Sequence, residues 1–148
     1  MYLSYFCLRV RDLPRSIDFY TRHFGLRPIE GTVLPRSPPK DQTAVLLIDP
    51  VSGQRLELNY YPEGNPYSVP YVPGEGLDHL AFRVDNLARF LESLRKDGIL
   101  AEKMAHYAGP MMTGATFRVA YIRDPDGNQI ELFDTTNAGK TTYQRDRY

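Results

Sequence analysis

Four side chains in this chain have the chemistry to hold a metal ion if the fold gathers them: Tyr5, Glu57, His79 and Glu131. His79 follows Tyr5 by 74 residues and Glu131 follows Glu57 by the same 74, so one shift relates both pairs. One imidazole and two carboxylates are the nitrogen and oxygen donors that bind zinc, nickel, cobalt, manganese or iron. Singly, each residue has a plainer reading. Glu131 lies between Ile130 and Leu132 and would be the solvent side of an alternating strand. A lone His79 is more often a core or surface histidine than a ligand. The common shift favours metal.

The same shift exposes a repeat, and a repeat at this scale decides the fold. LRVRDLPRSIDFYTRHFGL, residues 8 to 26, falls beside FRVDNLARFLESLRKDGIL, residues 82 to 100, and GQRLEL, residues 53 to 58, falls on GNQIEL, residues 127 to 132. Each half opens with an alternating strand, Phe6, Leu8 and Val10 or Leu80, Phe82 and Val84. A helix follows, capped by Asp12 in one half and by Asp85 or Asn86 in the other, and stopped by Gly25 or Gly98. Further strands end in RLELNYY and QIELFD.

These patterns predict an α+β fold of two tandem βαβββ modules, residues 1–61 and 77–134, within one structural domain. Residues 62–76 form a Pro/Gly-rich linker and 135–148 a polar tail. The segment LPRSPPKDQ, residues 34 to 42, reads as too proline-rich for regular structure.

Strand parity then sorts the faces. The even-numbered apolar residues pack on the helices, so Tyr5, Cys7, Arg9, Glu57, Asn59, His79, Ala81, Arg83, Gln129 and Glu131 look the other way. Two related half-sheets commonly pair with such faces inward, forming a curved, cup-like mixed sheet with helices outside. Were the cup a metal-free binding site, Tyr5, Tyr60, Tyr61, Met111 and Met112 could supply part of its apolar lining. His23 fits a helix C-terminus better than a metal, and His106 an exposed loop. Cys7 reads as a small buried filler.

Bulk properties exclude several partners. Eighteen basic residues balance eighteen acidic ones, so no basic field draws nucleic acid or anionic lipid. The longest aliphatic run, AVLLI at 44 to 48, is far below the roughly eighteen apolar residues that span a bilayer. One cysteine cannot close an intramolecular disulfide, and MYLSYFCLRVRD shows no leader pattern, so a cytoplasmic location is expected.

LRVRDLPRSIDFYTRHFGL, LDHLAFRVDN and YIRDPDGNQIEL together resemble the vicinal oxygen chelate superfamily, and within it the glyoxalase I family, over roughly residues 3 to 134. The resemblance implies a divalent metal (zinc, nickel, cobalt or manganese, with iron the poorer fit) held at the positions of Glu57, His79 and Glu131. Tyr5 stands where the family has a histidine or glutamine. A phenol keeps its proton at neutral pH, so Tyr5 either ligates with the metal's help, leaves three protein ligands and water, or fills a cup that binds metal poorly.

Such enzymes convert the hemithioacetal of a 2-oxoaldehyde such as methylglyoxal into a 2-hydroxyacyl thioester. By the match Glu131 carries the proton and Glu57 is ligand or second base. Arg9 matches a position that pairs with a carboxylate of glutathione, and Asn59, Arg83, Tyr61 and Met112 complete the expected substrate surface. Tyr61 and the loop GPMMTGATF depart from the family, so the thiol is glutathione or another. The alternatives are an acyl-thioester epimerase, an extradiol dioxygenase, or a metal-free small-molecule or drug-binding protein. The linker permits a homodimer in which Tyr5 and Glu57 of one chain face His79 and Glu131 of the other.

Overall fold

The computed structural model describes residues 4–30, 34–36, 42–65, 68, 70, 72–74, 77–108 and 116–134. Met111, Met112 and the tail lie outside them. The chain divides into two units, Met1–Gly76 with Asp124–Asn128, and Leu77–Arg123 with Gln129–Tyr148. The α+β class is as expected, with one helix and one mixed sheet in each unit.

In the first unit β1 (Phe6–Val10) leads into helix α1 (Leu13–Phe24), then β2 (Arg27–Pro28), β3 (Leu34–Arg36), β4 (Gln42–Ile48) and β5 (Arg55–Tyr60). β1 runs parallel to β5, which is antiparallel to β4, and both β2 and β3 pair with β4. The segment expected to lack regular structure thus contains a three-residue strand, at Leu34–Arg36. Pro28 and Pro35 have no N–H to give a ladder, which suits β2 and β3 to short pieces. Leu8, Leu58 and Val45 stand opposite one another across three strands and are all buried.

Helix α1 begins where expected. The Asp12 carboxylate accepts from the Arg15 N–H at 3.0 Å, and Pro14 sits in the first turn, where its missing N–H costs nothing. Gly25 ends it at φ 68°, a left-handed conformation that a side chain disfavours. Leu13, Ser16, Phe19 and Tyr20 are the buried positions, a spacing that puts them on one face.

The loop Asp124–Asn128 belongs to this unit although it lies late in the sequence. Asp124 accepts from Tyr20 Oη at 2.9 Å, from the N–H groups of Asp126 and Asn128, and from Asn128 Nδ2. Asp126 accepts from Ser16 Oγ at 3.2 Å and from the Arg11 N–H at 3.1 Å. These bonds compensate two carboxylates that are each 5% exposed. Gly127, at φ 93°, passes Pro73 so closely that a Cβ would meet its ring at 3.2 Å.

The second unit is βαβββ: β6 (His79–Arg83), α2 (Leu87–Lys96), β7 (Lys103–Ala108), β8 (Thr116–Arg123) and β9 (Gln129–Asp134). Its order is β6-β9-β8-β7, with β6 parallel to β9. Asn86 caps α2 through a 3.0 Å bond from the Arg89 N–H. The buried Asp134 carboxylate takes the Leu87 N–H at 2.7 Å and Arg118 through two nitrogens. That contact raises the Arg118 pKa. Ile122, Ile130, Leu132 and Leu94 form the core, each contributing on the order of 2 kcal/mol by burial. No helix among the described residues is long and apolar enough to cross a membrane.

Candidate functional site

Parity on β5 and β9 decides which side each acid takes. In β9 the even residues Ile130, Leu132 and Asp134 are buried, while Gln129, Glu131 and Phe133 are half-buried on the opposite face. In β5 both faces are covered, and Glu57 is 6% exposed and Asn59 3%. Each unit contributes its own group of polar side chains.

In the second unit His79 and Glu131 are brought together. Nε2 of His79 lies 3.2 Å from Oε2 of Glu131, and Nδ1 lies 2.7 Å from the Asp78 carboxylate. They sit on adjacent parallel strands, Glu131 opposite Ala81 and His79 opposite Gln129, so the small Ala81 leaves room above the carboxylate. A carboxylate on Nδ1 fixes the ring and directs Nε2 outward as the metal-binding nitrogen. Two donors of one ion, each about 2.0–2.2 Å from it, sit about 3 Å apart. The spacing of Nε2 and Oε2 therefore fits a shared divalent ion.

Two residues near this pair are not selected by the repeat. Asp78 precedes His79 in the sequence but carries no signal without the ring geometry. Tyr121 lies on β8 directly opposite Glu131, and its Oη donates to Glu131 Oε2 at 2.9 Å. Its ring also meets the His79 imidazole edge-on, with centroids 6.0 Å apart. Counting back through the RDPDGN turn from Glu131 would have found it.

In the first unit Glu57 is flanked by Cys7, its partner across β1 and β5. The Cys7 thiol lies 3.6 Å from Glu57 Oε1, and the Asn59 amide 3.4 Å from the same oxygen. Cys7 is exposed, which corrects the reading of a buried filler: β1 is an edge strand of its sheet. Asn59 also reaches Tyr61 Oη at 3.3 Å, and the Arg9 guanidinium lies 5.0 Å from the Tyr61 ring centroid, a cation–π distance. A cavity of about 250 Å³ opens here, lined by Arg9, Arg11, Tyr60, Tyr61, Glu63 and Ser68. Tyr5 precedes β1 and is 40% exposed.

Arg83 is exposed on β6 opposite Phe133, and Met112 lies outside the described residues. Among the described residues, neither unit by itself gathers three His, Cys, Asp or Glu side chains able to hold a metal.

Comparison with known proteins places these features in a lineage. The family model described as the Glyoxalase/Bleomycin resistance protein/Dioxygenase superfamily matches residues 2–132. A lactoylglutathione lyase of Shigella flexneri is 34% identical over 141 residues, covering 95% of this chain and 97% of that protein. One from Haemophilus influenzae is 32% identical, covering 90% and 93%. Among solved structures, a glyoxylase/bleomycin resistance protein/dioxygenase domain from Frankia sp. superposes with a TM-score of 0.66 at 22% identity, covering 93% of this chain and 94% of that one. From the repeated strand-helix pattern, the DPDGN turn and these matches together, the chain belongs to the glyoxalase/bleomycin resistance/dioxygenase superfamily.

Proposed function

We propose that this protein is a glyoxalase I-like, metal-dependent enzyme that isomerises the hemithioacetal of a 2-oxoaldehyde and a thiol to a 2-hydroxyacyl thioester. The observation that carries the reading is the 3.2 Å approach of His79 Nε2 to Glu131 Oε2, on a chain 34% identical to a lactoylglutathione lyase. His79, Glu131 and Glu57 would hold the ion, with Tyr5 at the fourth position. A divalent metal, when bound, supplies Lewis-acid polarisation of the two vicinal substrate oxygens.

The chain's own residues do the rest. Glu131 takes the proton from one carbon and returns it to its neighbour, a general-base role typically contributing about a hundred- to ten-thousand-fold. Glu57 serves as ligand or as a second base. Asp78 holds the His79 ring by its Nδ1. Arg9, stacked on Tyr61 at the 250 Å³ cavity, receives a carboxylate of the thiol, for which its planar fork is suited. Asn59 and Arg83 line the approach.

The working form is a homodimer. Glu57 is in the first unit and His79 with Glu131 in the second, and neither unit alone carries three such donors among the described residues. A site completed by Glu57 of one chain and His79 with Glu131 of the other is what this assignment entails.

The test is metal analysis of the purified protein with a hemithioacetal isomerase assay, before and after chelation and readdition of zinc, nickel, cobalt and manganese. Metal-dependent turnover that Glu131→Gln lowers at least a hundredfold is expected. Near-normal kcat in metal-loaded Glu131→Gln would overturn the role of Glu131, and no metal uptake under any condition would overturn the reading.

A further inference from the structure

The two acids of the repeat have unlike neighbours. On the β4 side Glu57 stands opposite Leu46, an aliphatic side chain, whereas on the β8 side Glu131 stands opposite Tyr121. Directly opposed residues of adjacent strands project to the same face, so the Tyr121 phenol reaches the Glu131 carboxylate without departing from the pleat. Its Oη donates to Oε2 at 2.9 Å, and that oxygen is the one 3.2 Å from His79 Nε2. Among the described residues no hydrogen bond is made to Oε1.

The consequence depends on what His79 can do. While Nε2 carries a proton it too can donate to Oε2. Once Nε2 binds a cation it has no proton to give, and the carboxylate is left to the phenol. A glutamate held only by its flexible stem could then rotate, chelate through both oxygens, or swing away.

We propose that Tyr121 is a positioning residue for Glu131: its phenol pins Oε2 beside His79 Nε2, where the two would hold a divalent ion, and leaves Oε1 for the proton. The edge of its ring against the imidazole holds the phenol in place. The inference rests on the metalloenzyme reading above and adds a residue to it that neither the repeat nor the donor set selects. Tyr121 touches the acid that reacts; it acts through Glu131.

Tyr121→Phe keeps the ring and removes the hydroxyl. The zinc dissociation constant, measured by chelator competition with zinc alone, should rise about tenfold or more, in the range typical of groups that orient a metal's ligands. On the zinc-loaded enzyme kcat should fall about ten- to a hundredfold while KM stays within about twofold. A purely structural role would lower the melting temperature and leave zinc affinity and kcat alone. Zinc affinity and kcat equal to wild type in a folded Tyr121→Phe, with His79→Ala and Glu131→Gln both impaired, would overturn this inference and leave the metalloenzyme reading standing. Failure of the wild type to take up zinc, nickel, cobalt or manganese would overturn both.

Discussion

Tyr20 Oη donates to Asp124 Oδ2 at 2.9 Å, joining the middle of helix α1 to a turn 104 residues later in the chain. Both groups are buried, so the bond is made away from water. The turn it holds leads directly into β9, the strand that bears Glu131.

Removing the Tyr20 hydroxyl should therefore be felt as stability. Tyr20→Phe leaves a buried carboxylate one donor short and should cost about 1.5–3 kcal/mol, read as a lower urea midpoint with an unchanged m-value. Asp124→Ala, which removes the acceptor of bonds from Tyr20 Oη, Asn128 Nδ2 and two backbone N–H groups, should cost more. Equal midpoints for both variants and wild type would mean the turn is held by something else.

Asp134 has a comparable duty in the second unit, where its buried carboxylate accepts the first N–H of α2. Asp134→Ala should destabilise by about 1–3 kcal/mol through that bond alone. Hydrogen exchange should show the first turn of α2 opening more readily than its middle.

On the exposed side of α2, Arg95 hydrogen-bonds Glu92 and holds its carboxyl below the ordinary value of 4.5, while Glu92 raises Arg95. A carboxyl depressed in the folded state contributes stability above its unfolded pKa and loses it as pH falls through the lower folded pKa. The pair is solvent-exposed, so the effect is small and screened by salt. Glu92→Gln should match wild type in acid and differ slightly near neutrality, a difference that 1 M salt abolishes. A difference that persists in salt would contradict the assignment.

Tyr5 stands at the fourth position of the proposed ligand set. If it is a lost ligand, Tyr5→His should tighten zinc or nickel binding about tenfold or more and raise turnover. If the phenol already ligates, Tyr5→Phe should weaken binding instead. Isothermal titration of both variants separates the two roles.

The proposed shared-site dimer makes a complementation prediction. Glu57→Ala and His79→Ala should each be inactive alone, yet mixing them through reversible dissociation should restore one intact site per heterodimer. Restoration of about a quarter of wild-type activity is expected at equal mixing, since half the dimers are hybrids with one good site each. No recovery in verified heterodimers would place each site within one chain.

What the sequence determined by itself was periodic. Alternation in Phe6, Leu8 and Val10 and in Leu80, Phe82 and Val84 announced the first strand of each half, Asp12 and the pair Asp85 and Asn86 the helix starts, and the 74-residue echo of Glu57 in Glu131 the pairing of acids. The first two are local signals, written in the spacing of residues near one another, and the third is a likeness between two segments, readable without knowing how either folds. Strand parity likewise set Glu131 apart from Ile130 and Leu132. The DPDGN segment stood out in the sequence as part of a family motif, but its membership of the first unit did not, because its partners Tyr20 and Ser16 lie more than a hundred residues away.

Tertiary structure alone decided the neighbours. Register between strands set Tyr121 rather than an aliphatic side chain opposite Glu131, and Leu46 opposite Glu57. It turned the His79 ring so that Asp78 takes one nitrogen and the acid faces the other. Edge position exposed Cys7, which its side-chain type had suggested was a buried filler. The physical reason is common to all three: a sequence repeat states which residues are alike, whereas hydrogen bonds of about 3 Å depend on which unlike residues the ladders bring face to face.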